Sequence, residues 1–134
     1  MKLAVFVLAL LLPCTAIAQG IGCSPLRIVV PYPAGGAADV GARLLGQAVA
    51  PKLGTPVVIE NKAGASGNLG TEYVVGSAKD GCTLLLNSSA LASFPDSFAT
   101  LRFDPFADLV VLSAIGTTPT VIVTANQAIA TLAS

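Results

Sequence analysis

Three short stretches of this chain carry residues that could hold a small polar molecule. They are Pro31-Tyr32-Pro33-Ala34-Gly35-Gly36-Ala37-Ala38-Asp39, Gly64-Ala65-Ser66-Gly67-Asn68-Leu69-Gly70 and Asn87-Ser88-Ser89. In the first, two prolines stiffen the backbone, and Gly35-Gly36 removes the side chains that would keep a ligand away from main-chain amides. A helix starting near Asp39 points its unpaired N–H groups at the same spot, which is the chemistry of a small-anion site. The same residues also fit a plain strand-to-helix turn, with Asp39 as a cap or first-turn acid. The second stretch is one residue short of the dinucleotide fingerprint G-x-G-x-x-G, because Ala65 stands in place of its first glycine. It follows the second strand rather than the first, and no clear ribose-binding acid comes after it at the expected distance, so a nucleotide is not the expected ligand. The third stretch offers hydroxyl and amide groups that can hydrogen-bond a carboxylate or its bridging water.

Composition removes several other chemistries. The chain has no His and no Trp, which excludes histidine metal sites and every histidine-activated nucleophile. No Ser-x-x-Lys, G-x-S-x-G or G-x-x-x-x-G-K-[ST] occurs, and Asp39, Asp80 and Asp104 stand singly rather than as a pair. Catalysis is therefore not expected, and no cofactor or metal is implied. Seven Lys and Arg balance seven Asp and Glu, spread along the chain, so no stretch tracks a nucleic-acid backbone or an anionic membrane.

The elements that must position the three stretches read as an alternation. Leu26 to Val30 is a short apolar run with Arg27 as its one polar member, as expected of a strand covered on both faces. Residues 37–50 place Val40, Leu44, Leu45, Ala48 and Val49 at helical spacing with Arg43 and Gln47 opposite. Pro51 should end or kink this helix, and Gly54 supports a stop. Residues 57–60 form a second strand, 69–77 a short second helix, and 83–87 a third strand after the Asp80-Gly81 turn. Strand, helix, strand, helix, strand is the order of an α/β fold with a parallel, doubly wound sheet, whose right-handed crossovers bring all three loops to one edge. Further on, residues 109–115 and 120–123 look like two more strands joined by Gly116-Thr117-Thr118-Pro119.

The N-terminus reads as a segment apart from this core. Lys2 precedes an uninterrupted apolar run over residues 3–12, Pro13 breaks it, and Ala16-Ile17-Ala18 is a small-x-small cleavage signal. Residues 1–18 are thus expected to be a secretory signal peptide, with the mature chain starting at Gln19. The apolar run is about half of the ~20 residues that a membrane anchor needs. Neither Cys14 nor Cys23 has the usual approach of a lipid-modified cysteine. Fifteen of the first eighteen residues are apolar, and without them the composition is that of an ordinary globular domain. Cys23 and Cys82 remain in an oxidising compartment, and two cysteines permit one disulfide.

Laid in order, PLRIVVPYPAGGAAD, GTPVVIENKAGASGNLG, KDGCTLLLNSS and LRFDPFADLVVL resemble the Bug-type periplasmic solute-binding proteins of tripartite tricarboxylate transporters, over about residues 24–123. The resemblance implies the first lobe of a Venus-flytrap fold. It implies a periplasmic receptor that captures a small carboxylate and delivers it to membrane transporter subunits. By motif, the ligand-binding positions it implies are Pro33, Ala34, Gly35, Gly36 and Asp39 in the first loop, Gly67 and Asn68 in the second, and Asn87, Ser88 and Ser89 in the third. The chain departs from the family pattern at Ala37 and Ala38, where Ser or Thr is usual, at Ala63 and Ser66, usually Pro and Gly, and at Cys82, usually an aromatic. On the expected sheet the first and third strands are parallel neighbours, which puts Cys23 and Cys82 at the same end and permits a Cys23–Cys82 disulfide. Family chains are considerably longer, so residues 19–134 are expected to be an incomplete N-terminal lobe with the second lobe absent. The rival expectation is a truncated gene product or sequence fragment without independent binding function.

Overall fold

The computed structural model describes residues 22–117. Three strands, β1 (Leu26–Val30), β2 (Val57–Asn61) and β3 (Thr83–Leu85), form one parallel sheet in the order β2-β1-β3. Helix α1 (Ala37–Leu53) joins β1 to β2, and α2 (Asn68–Val75) joins β2 to β3 after a single 3₁₀ turn at Ala65–Gly67. A second 3₁₀ turn at Ser89–Ser93 runs into the short helix α3 (Phe94–Ser97).

β1 is central because it is the most apolar strand and is used on both edges. Leu26 aligns with Val57 and Val30 with Asn61 on one side, while Arg27 aligns with Thr83 and Val29 with Leu85 on the other. Its two faces are covered by different helices. Ile28 and Val30 pack with Ala42 of α1, together with Leu45, Val57, Ile59, Leu84 and Leu86. On the other face Val29 is fully buried, and α2 closes on Pro31, where a Cβ at Gly70 would lie 2.8 Å from both the Lys62 carbonyl oxygen and Pro31 Cβ. Only glycine allows the helix to come that close. This is the doubly wound arrangement expected from the alternation of elements.

Two features of α1 differ from the periodicity argument. The helix continues through Pro51 to Leu53 and stops at Gly54, which takes the left-handed conformation with φ 65°. Pro51 falls in the last turn and the carbonyl it cannot bond belongs to exposed Gln47, which water can serve. The buried stripe is also rotated from the expected one. Ala42 and Gly46 face the sheet, while Val40 and Leu44 are 49% and 62% exposed. The reason is close approach: a Cβ at Gly46 would already stand 3.2 Å from Val57 Cγ1, so small residues rather than the largest apolar ones define the contact.

Residues 109–115 do not form the expected strand. Val110, Val111 and Leu112 are 84%, 88% and 73% exposed, and among the described residues no strand pairs with them. β propensity alone does not make a strand without a neighbour to take its hydrogen bonds. The expected strand at 120–123 lies outside the described residues. Before it, the chain packs locally, with Phe94 and Phe103 buried and the Phe94 and Phe98 rings edge to face at 5.2 Å.

At the amino ends of the strands, Cys23 and Cys82 are joined by a disulfide, with Cα atoms 5.2 Å apart and a sequence separation of 59. The Cys82 carbonyl also accepts the Arg27 N–H at 2.9 Å, so β3, only three residues long, is tied to β1 both covalently and by its ladder. Replacing both cysteines by serine should destabilise the fold by about 4 kcal/mol, the chain-entropy value for a loop of this length. Urea unfolding of the two forms measures the difference, and thiol titration of the unreduced protein should find neither cysteine free.

Candidate functional site

Parallel pairing brings the carboxyl ends of β1, β2 and β3 to one edge, and the loops leaving them meet there. The first loop turns on Gly35, whose φ of +82° suits glycine, and Gly36 in extended conformation caps α1. Pro33, Ala34, Gly35 and Gly36 are all exposed, so the backbone here is open to a ligand. The amides are not equally available. Gly35 N–H donates to Asp39 Oδ2 at 2.8 Å and Gly36 N–H to the Pro33 carbonyl at 3.4 Å. Among the described residues, Val40 N–H is the first of α1 to find a main-chain acceptor, at Gly36, and the N–H groups of Ala37, Ala38 and Asp39 donate to no protein group.

Asp39 is 3% exposed, and its carboxylate is turned into the protein. Oδ2 accepts from Gly35 N–H and from Arg43 Nε at 3.0 Å, and Oδ1 accepts from Asn61 Nδ2 at 3.0 Å. Asn61 Nδ2 also lies 3.2 Å from the Tyr32 carbonyl, so a residue at the end of β2 clasps both ends of the first loop. The acid expected among the ligand-binding positions is thus placed as the fastener of that loop. Arg43, one helical turn along, neutralises its charge.

The second loop holds Gly64, Ala65, Ser66 and Gly67 in succession at positive φ, with Ala65 at 44° and Ser66 at 53°. Each of those two non-glycine residues is held at a cost of about 1–2 kcal/mol. Gly67 is buried against Pro31, and its carbonyl accepts the Thr71 hydroxyl at 2.8 Å. Asn68, half-buried at the start of α2, has an Oδ1 that is buried without a hydrogen-bond partner. In the third loop Asn87 is half-buried, while Ser88 and Ser89 are exposed. Asn87 Nδ2 donates to Thr71 Oγ1 at 3.1 Å and its Oδ1 accepts the Tyr32 hydroxyl at 2.7 Å.

All three loops are therefore joined in one network that runs from Gly67 through Thr71 and Asn87 to Tyr32. Sequence reasoning missed Tyr32, Asn61, Thr71 and Arg43 as parts of this site. Arg43 had a signal, its i,i+4 relation to Asp39, and Tyr32 lay inside the motif itself; nothing local pointed to Asn61 or Thr71. Among the described residues no cluster of acids and cysteines is placed to hold a metal, and no helix is long and apolar enough to cross a membrane.

The fastening of the first loop depends on the charge of Asp39. The Arg43 hydrogen bond, then the Gly35 and Asn61 bonds, lower its pKa from 3.8 to about 2 against the opposing effect of burial. A carboxylate depressed on folding stabilises the fold above its unfolded pKa and loses that contribution as the pH falls towards the folded value. The window is thus from about pH 4 down to about 2. The Gly35 amide resonance should follow this titration with a midpoint near pH 2, and in Asp39→Asn that step should be missing from both the Gly35 shift and the acid unfolding curve.

The site and fold can be set beside known proteins. Residues 41–133 match the model of the tripartite tricarboxylate transporter family receptor. The chain is 43% identical to protein BugT of Bordetella pertussis over 102 residues, 75% of this chain and 31% of that protein. A protein of Agrobacterium vitis is 38% identical over 90% of this chain and 35% of its own length. The chain spans about a third of the length of the curated relatives it matches. Among solved structures, the periplasmic binding protein BugD superposes with a TM-score of 0.61 at 36% identity, over 63% of this chain and 28% of BugD. MatC of Rhodopseudomonas palustris, solved with bound malate, does so with a TM-score of 0.54 at 37% identity, over 63% of this chain and 29% of MatC. The parallel sheet with its three converging loops is thus the one seen in periplasmic binding proteins, and the chain belongs to the tripartite tricarboxylate transporter receptor family.

Proposed function

We propose that this chain supplies the loop-bearing face of an extracytoplasmic receptor that captures a small mono- or dicarboxylate for a tripartite tricarboxylate transporter. The observation that carries the reading is the set of Ala37, Ala38 and Asp39 N–H groups, which have no acceptor among the described residues and stand at the end of the exposed first loop. They are the positive end of a 17-residue helix, and the buried Asp39 does not cancel that end because Arg43 already balances it. Malate in the solved MatC is a ligand of the class such amides recognise.

Backbone amides read a carboxylate without regard to what is attached to it, so this face supplies affinity for the class and little choice within it. A ligand held by one open face keeps much of its surface in water. Calorimetric titration should therefore show dissociation constants of about 1 mM or weaker for malate, succinate and a monocarboxylate, corresponding to roughly 4 kcal/mol. The corresponding uncharged amides should show no binding. Equal binding of the amides, or no heat with any carboxylate, would count against the reading.

The same reading places the protein outside the cytoplasm, exported by the leader expected at residues 1–18 into a compartment where the Cys23–Cys82 disulfide persists. Expression of the whole chain in a Gram-negative host should then release a periplasmic product whose N-terminal residue, read by mass spectrometry, is Gln19. Retention of Met1 in the recovered product would oppose it.

A further inference from the structure

Tyr32 sits between the two prolines of the first loop, with its ring against the core beneath β1. Its hydroxyl crosses to the third loop, where it donates to Asn87 Oδ1 at 2.7 Å and lies 3.1 Å from Ser88 Oγ. A phenol has one hydrogen and an amide oxygen has none, so that hydrogen belongs to Asn87, and Ser88 must be the donor in the other contact. Ser88 Oγ in turn accepts from Ala90 N–H at 3.4 Å. Asn87 Oδ1 takes a second donor, Ser88 N–H at 2.8 Å, and Asn87 Nδ2 gives to Thr71. Both third-loop residues nearest the strand are thus bonded to the Tyr32 hydroxyl. Ser89, next along and exposed, keeps a hydroxyl engaged by no protein group among the described residues.

β3 cannot hold this loop alone. It is three residues long, and the last ladder bond to β1 is Leu86 N–H to the Val29 carbonyl at 2.9 Å. Past that point the Tyr32 hydroxyl is the tether from the first loop.

We infer that Tyr32 is a positioning residue for anion capture: its hydroxyl sets the spacing between the first and third loops through Asn87 and Ser88, leaving Ser89 as the third-loop side chain that meets the ligand. A carboxylate bridging the α1 amides and Ser89 reads that spacing. Without the tether each ligand must order the loop as it binds, which weakens affinity rather than folding. The effect on affinity rests on the carboxylate-capture reading, whereas the tether does not.

Tyr32→Phe keeps the ring and removes the hydroxyl. Two measurements on the purified protein test it: calorimetric titration with malate, and amide hydrogen exchange without ligand. The expected result is a loss of malate affinity of about 5-fold, the size of one net hydrogen bond. It should come with exchange about tenfold faster at Ser88 and Ala90 and unchanged at Ile28 and Val29 in β1. Ser89→Ala should lower affinity with no change in exchange at Ser88. Parental exchange at Ser88 and Ala90 in Tyr32→Phe would overturn the tether. Faster exchange throughout β1 would show a general structural role and overturn the positioning claim, as would faster loop exchange with unaltered malate affinity. If the parent protein binds no carboxylate, the capture reading fails by itself, and the exchange rates alone decide the tether.

Discussion

β1 is hydrogen-bonded along both edges and packed on both faces, and every functional feature at its carboxyl end inherits that fixed position. Val29 and Val30 are fully buried, so the strand cannot shift without exposing apolar surface on one side or the other. Because both pairings are parallel, the first loop leaves β1 beside the ends of β2 and β3, and residues far apart in sequence are brought into hydrogen-bonding range. The disulfide at the opposite end of the sheet secures the shortest of the three strands to this central one.

The site built on that edge has little formal charge of its own. Its buried acid is matched by Arg43 and holds three donors, and most of its side-chain polarity is consumed in joining one loop to another. What is left open is the first turn of α1 and the Ser89 hydroxyl. An anion meeting this surface encounters the dipole of α1 and its first-turn amides, which require no ordering of long side chains. The strained second loop fits the same economy. Ala65 and Ser66 are held in the left-handed region because Gly67 and Gly70 must come close to Pro31 for α2 to seat.

Much of this was legible in the residues. The alternation of apolar runs with Gly- and Pro-rich loops specified a doubly wound parallel sheet, and the glycines of PYPAGG marked where backbone would be exposed. Less legible was the setting of α1, since hydropathy records that Val40 and Leu44 are apolar but not that Ala42 and Gly46 permit the closer approach. The apolar stretch at 109–115 carried a β-like composition that only a partner strand could have turned into a strand.

The sequence by itself determined the three strands β1, β2 and β3 and where the loops after them lie, because periodicity and backbone stiffness are local properties. Only the tertiary structure decided what each polar side chain does. Asp39 serves as a fastener because Asn61, 22 residues away, reaches it. Asn87 is a strut because Tyr32, 55 residues away, donates to it. A carboxylate or an amide has a fixed number of hydrogen-bonding positions, and whether they are spent inside the protein depends on neighbours that the chain brings together only by folding.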